Sequence, residues 1–237
     1  MAVPTRARIE IFVNSLHVNG NTRYRSLLAA LVVGFGVCTL GLQLWPGAAE
    51  ALQFTRLRYA QGAYWQLLTA QWVHLSLGHA LGNALAFAVL ALWSGRWLGW
   101  RQQLLALGGG YAGVAVVLAL DAQCGYYAGA SGALHGLLAG NALYMVWVGR
   151  AQGLRTGAAS GPWFNATRGV GLALLGALAF KLWWQSGDTP AAPWGGWSFP
   201  VYHPAHIAGA LGGMGLVLLV SGARGAPATP EQAQPGQ

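Results

Sequence analysis

The chain has 237 residues, of which 55% are hydrophobic and 8% charged, with 12 tryptophans. Soluble domains carry about a quarter charged residues, so this composition excludes an ordinary soluble domain and points to a bilayer. The formal net charge of +8 does not indicate nucleic acid, because the basic residues lie between long apolar runs rather than along a basic face with interleaved aromatics.

In chain order, residues 1–26 form a polar cytoplasmic lead carrying Arg6, Arg8, Arg23 and Arg25. Six apolar segments follow, at 27–45, 67–93, 103–120, 130–148, 169–184 and 204–220. Each is near the ~20 residues a spanning helix needs. The arginine-bearing lead is long for the start of a signal peptide, so the first segment reads as a retained helix. The segments share no repeat period, and the expectation is an all-α membrane protein: one six-helix bundle over 27–221 with no second domain. Residues 222–237, rich in Pro, Gln and Gly, read as a disordered cytoplasmic tail. Cys38 lies in an apolar run and Cys124 in a loop; they make neither a disulfide framework nor metal-ligand spacing.

Orientation follows from the basic residues. With the N-terminus inside, the inner segments hold Arg6, Arg8, Arg23, Arg25, Arg96, Arg101, Arg150, Arg155, Arg168 and Arg224, against Arg56, Arg58 and Lys181 outside. That bias predicts cytoplasmic termini at both ends. It puts the start of the second, fourth and sixth helices at the outer face, and with them His74, His79, Asn83, Ser131, His135 and His206. Ionisable groups within a span are costly and are functional candidates by default.

The fourth segment opens with Gly129-Ala130-Ser131-Gly132-Ala133-Leu134-His135-Gly136. A serine between glycines at the mouth of a helix is surrounded by N–H groups that have no partner inside the helix. That suits a nucleophile whose attack creates an oxyanion; the plain alternative is an N-cap serine with glycines for packing. The sixth segment carries His206 with Gly209 and Gly213 on its own face, and the fourth has Gly132, Gly136 and Gly140 four apart. Small residues so spaced let two backbones approach closely, which would bring Ser131 within reach of His206 as its base, unless the glycines serve packing alone. His79 and Asn83, four apart, share a helix face; they read equally well as oxyanion donors or as an interhelical fastener. His74, five residues before His79, diverges from it around a helix and reads as structural. No acid pair lies within the apolar segments and no His-Glu-x-x-His occurs, so aspartyl and zinc protease arrangements are missing.

Trp65-Gln66, then His74-Leu75-Ser76-Leu77-Gly78-His79-Ala80-Leu81-Gly82-Asn83, then Gly129-Ala130-Ser131-Gly132, then Ala205-His206 with Gly209 and Gly213, together resemble the rhomboid intramembrane serine proteases over about residues 62–213. Leu134-His135-Gly136 resembles the rhombosortase branch. The resemblance implies Ser131 as nucleophile and His206 as base, a dyad with no aspartate, and His79 and Asn83 as oxyanion-hole side chains. Gly129, before the serine, and His135, one turn after it, count as supporting residues. It further implies single-pass membrane protein substrates in the bilayer, cut at or near the outer end of the span, with a C-terminal Gly-Gly-type sorting tail as the branch's substrate. No metal, cofactor or nucleic acid is expected, and the location is the bacterial inner membrane with the site on the periplasmic side.

Two residues depart from the pattern. Rhomboids often carry Trp-Arg where this chain has Trp65-Gln66, and most carry an aromatic at the position of His135. One expectation for His135 is that it accepts the Nδ1–H of His206 and orients it; the other is packing alone. The loop at 185–203, with Trp194, Trp197 and Phe199, reads as an interfacial anchor with some flap motion. Two rivals remain open: a catalytically silent client-binding relative, and a metal site or transporter built on His74, His79, His203 and His206.

Overall fold

A computed structural model describes residues 22–95, 98–156, 166–186 and 201–222. The polar lead up to residue 21, the tail from 223 and the tryptophan-bearing part of the 185–203 loop lie outside the described residues. Six long helices dominate: α1 (Thr22–Leu44), α5 (Leu77–Ser94), α6 (Trp100–Leu120), α7 (Ser131–Thr156), α8 (Ala166–Gln185) and α9 (His203–Gly222). Between α1 and α5 run three short helices, α2 (Ala48–Leu52), α3 (Arg56–Ala60) and α4 (Gln66–Thr69). A two-residue strand β1 (Phe54–Thr55) pairs antiparallel with β2 (Tyr126–Tyr127), Phe54 opposite Tyr127. Five of the long helices are long and apolar enough to cross a membrane, namely α1, α5, α6, α8 and α9. The other, α7, has 26 residues, about 39 Å of helix at 1.5 Å per residue.

One predicted boundary is wrong. The second apolar segment does not run as a single helix from residue 67: α4 stops at Thr69, the chain is non-helical through 73–76, and α5 starts at Leu77. The reason is polar. Ser76 is extended, and its hydroxyl accepts the N–H of His79 at 3.1 Å, an N-cap that sets the helix start. Upstream, two fully buried glutamines hold the non-helical path. Gln66 Oε1 accepts from the Thr55 N–H at 3.2 Å while its Nε2 donates to the Ala51 carbonyl; Gln71 Nε2 donates to the Leu67 and Tyr111 carbonyls. Gln66, in the place of the usual arginine, is thus an internal stitch of this loop. The third and fourth helices also run further than predicted, from Trp100 and to Thr156.

The core is a tight trio of α6, α7 and α9, with α8 packed on α7 and α1 packed on α5. Buried Leu28 and Phe35 of α1, Phe87 and Ala91 of α5, Leu107 of α6, Leu134 and Leu137 of α7 and Val217 of α9 form one cluster. Lipid is as apolar as these side chains, so the trio depends on van der Waals fit and internal polar ties rather than on escape from water. The fit is made by glycine. A Cβ at Gly136 would lie 2.6 Å from the Gly209 carbonyl oxygen, and one at Gly140 2.8 Å from that of Gly213. At Gly209 a Cβ would overlap the Gly132 carbonyl itself. The two glycine-bearing faces therefore meet backbone to backbone, as their spacing predicts. Asn141 Nδ2 of α7 donates to Ser94 Oγ of α5 at 3.0 Å, a buried tie between those two helices. At the end of α6, Arg56 donates to the carbonyls of Leu118 (2.6 Å) and Ala119 (3.5 Å), groups that have no partner within the helix.

Candidate active site

Where α7 and α9 meet, Ser131 is the first residue of its helix and His206 lies in the first turn of the other. Ser131 Oγ and His206 Nε2 are 3.0 Å apart, although 75 positions separate them in sequence. His206 is 5% exposed, so little water competes for that bond.

The turn before the serine is built around Gly129. Its φ is +122°, a region that side chains rarely adopt, and its N–H donates to the Ala70 carbonyl at 2.9 Å. The space a side chain would need is already filled, because the imidazole of His79 lies against Gly129, with Cε1 2.6 Å from an ideal Cβ. His79 therefore faces the entry to α7. Its ring meets that of His74 edge-on at 4.8 Å, and His74 Nε2 accepts the Ala130 N–H at 3.4 Å. The sequence spacing predicts that these two histidines diverge around one helix. Because residues 73–76 are not helical, His74 instead turns back onto His79 and the serine turn. Burial lowers the His74 pKa to about 3, with the neighbouring His79 adding to the effect, so it is the neutral imidazole that accepts the Ala130 N–H. Asn83 follows one turn along α5, buried, with Nδ2 donating to the His79 carbonyl at 3.1 Å.

His135 corrects the other expectation. It does not bond the Nδ1 of His206. The two rings lie face to face, centroids 4.1 Å apart and planes 12° from parallel, so an in-plane hydrogen bond between them is geometrically impossible. The nitrogens of His135 are engaged elsewhere, Nδ1 with the Ser131 carbonyl at 2.6 Å and Nε2 with Lys181 Nζ at 2.8 Å. The group at His206 Nδ1 is Gln185 Oε1, at 3.4 Å. Lys181 and Gln185 were not singled out from the sequence. A signal was there: Lys181 is the chain's only lysine and falls inside an apolar segment, where an ammonium is costly. His203 stands edge-on to His206 at 6.0 Å. Among the described residues, no group of three or more His, Cys, Asp or Glu is arranged to hold a metal ion.

A model of the Rhomboid domain matches residues 61–223, from the turn before α4 to the end of α9. The chain belongs to the rhomboid family. Rhomboids are serine proteases that work within membranes, and some members are inactive. As a rhomboid with five helices able to cross a bilayer, the chain is a multi-pass membrane protein. No curated protein and no solved structure matches it.

Proposed function

We propose that this rhomboid is an active intramembrane serine endopeptidase, with Ser131 as nucleophile and His206 as base. The observation that carries the reading is the 3.0 Å approach of Ser131 Oγ to His206 Nε2 at the mouth of α7. In the reaction, His206 Nε2 takes the Oγ proton as Oγ bonds to the scissile carbonyl carbon. The carbonyl electron pair moves to oxygen, where the Ser131 N–H and the side chains of His79 and Asn83 donate to it. The oxyanion then collapses, the C–N bond breaks, and His206 returns the proton to the leaving amine. Water, deprotonated by the same imidazole, hydrolyses the ester. Gly129 supports the turn, and His135 packs on the base.

The finer reading is a six-span bundle over residues 27–221, flanked by cytoplasmic segments 1–26 and 222–237, in a bacterial inner membrane. The site faces the periplasm, and the substrates are single-pass proteins cut near the outer end of their span. Leu134-His135-Gly136 favours the rhombosortase branch and a Gly-Gly-type tail. The rival is an inactive client-binding rhomboid, and the intact serine–histidine approach weighs against it.

Fluorophosphonate labelling decides between them. The folded chain should be labelled at Ser131, and Ser131→Ala should abolish both labelling and cleavage. A well-folded chain that is never labelled, yet still retains membrane clients, would establish the inactive reading. Cleavage of a generic transmembrane substrate but not of a Gly-Gly-tailed one would keep the protease and remove the branch.

A further inference from the structure

We propose that Lys181 and Gln185 are positioning residues that fix the tautomers of both site histidines, doing with an ammonium and an amide what an aspartate does in a triad. The proposal rests on the reading of Ser131 and His206 as a nucleophile–base pair.

Lys181, as an ammonium, sets the hydrogen-bonding sense of the groups around it. A lysine ammonium has three donors and no acceptor. Lys181 Nζ lies 2.8 Å from His135 Nε2 and 2.9 Å from Gln185 Oε1. Facing a pure donor, His135 must present a bare Nε2, so its proton sits on Nδ1 and is donated to the Ser131 carbonyl at 2.6 Å. The Gln185 amide must likewise present its oxygen. That oxygen also lies 3.4 Å from His206 Nδ1, and an amide oxygen only accepts. The His206 proton is therefore on Nδ1, which leaves Nε2 bare toward the Ser131 hydroxyl. This is the tautomer a base needs; a wrong tautomer in a serine triad costs about 10⁴ in rate.

Helix geometry makes the device possible. Lys181 and Gln185 are four apart on the last turns of α8, hence on one face, and α8 packs along α7. His135, stacked on His206, stops the base from tilting out of the plane that Gln185 defines. The contact at 3.4 Å is long for N–H···O, and the other tautomer would set the bare Nδ1 lone pair against the amide oxygen, so the preference comes from avoiding that repulsion as well as from the bond. The ammonium opposes the imidazolium that forms during catalysis. A carboxylate at 185 would keep the acceptor and offset that opposition.

The test compares Gln185→Leu, Gln185→Glu and Lys181→Met in the full chain, by thermal melting, by the rate of fluorophosphonate labelling, and by kcat and KM on a cleavable transmembrane substrate. Gln185→Leu and Lys181→Met should lower the labelling rate and kcat about 10- to 100-fold, a fraction of a general base's usual contribution. KM and melting should hold. Gln185→Glu should label at the wild-type rate or faster, which a role in packing does not predict. Labelling of Gln185→Leu at the wild-type rate, or of Gln185→Glu as slowly as Gln185→Leu, would overturn the proposal. If Gln185→Leu does not fold, wild-type labelling by Lys181→Met overturns it equally. Failure of the wild-type chain to label would instead remove the serine–histidine reading, and this proposal with it.

Discussion

At the residue scale, the serine turn leaves no room for adjustment, and Gly129 shows why. An alanine there takes a strained φ and places its methyl against the His79 imidazole. Strain of this kind costs about 1–3 kcal/mol, and relieving it displaces either His79 or Ser131. Gly129→Ala is therefore expected to melt lower and to label more slowly with fluorophosphonate; unchanged labelling would detach Gly129 from the site. His79→Ala should cut turnover by roughly 10²–10³, the usual cost of one oxyanion donor, measured per folded molecule in a substrate assay. Asn83→Ala should cost less, since its amide already has a partner in the His79 carbonyl. The sequence marked Ser131 and His206 because both stand at helix starts beside glycine-bearing faces. It missed Gln185, because a glutamine at a helix end is ordinary until its distance to an imidazole is known. It misjudged the direction of the His74 ring, because that direction depends on where α5 begins.

At the scale of elements, glycine decides which helices touch. Gly209→Ala should lower both melting temperature and labelling, since its methyl would overlap the Gly132 carbonyl and push α9 off α7. Gly176→Ala is the control. Nothing lies within 4 Å of a Cβ there, and replacing a helical glycine by alanine favours the helix by about 0.5–1 kcal/mol. Equal losses in both variants would remove the seam argument. The loop after α6 behaves differently. Asp121 accepts from the Tyr202 hydroxyl and from the Gln123 N–H at 2.9 Å, with Arg56 nearby; these hold its pKa below the usual carboxylate value. The contribution is present above the ordinary carboxylate pKa of about 3.9 and is lost as pH falls through the lower, folded value. Melting compared between wild type and Asp121→Asn should thus show a constant gap from pH 7 to about 4, narrowing only below that. A gap that closes between pH 7 and 5 would contradict the assignment. The long apolar helices were legible from length and composition alone. The short α2–α4 stretch was not, because it is held by glutamine and threonine side chains bonding backbone groups far along the chain.

For the whole molecule, the proposed orientation rests on ten basic residues against three. In a chain with Cys38 and Cys124 replaced, a cysteine at Gln123 should react with an impermeant thiol reagent in intact cells. One at Thr156 should react only after the membrane is opened. Outer labelling at Thr156 would invert the bundle and move Ser131 to the cytoplasmic face. Bundle membership was legible because charge punctuates the apolar segments; the ranking of helix contacts was not, because lipid-facing and buried positions are equally apolar. Val33 and Val37 on α1, exposed at 62% and 67%, look no different in sequence from Leu134 and Leu137 in the core.

The glycine seam also fixes an order of departure. Helices joined backbone to backbone share many short contacts and separate together, whereas α1 is held to its neighbours mainly by side chains such as Phe35 on Phe87, 4.4 Å between centroids. Local opening begins where contacts are fewest. In rising concentrations of a harsh detergent, amide exchange should reach α1 while α6, α7 and α9 stay protected. The seam would then fail in one event, taking Ser131 and His206 apart in the same step.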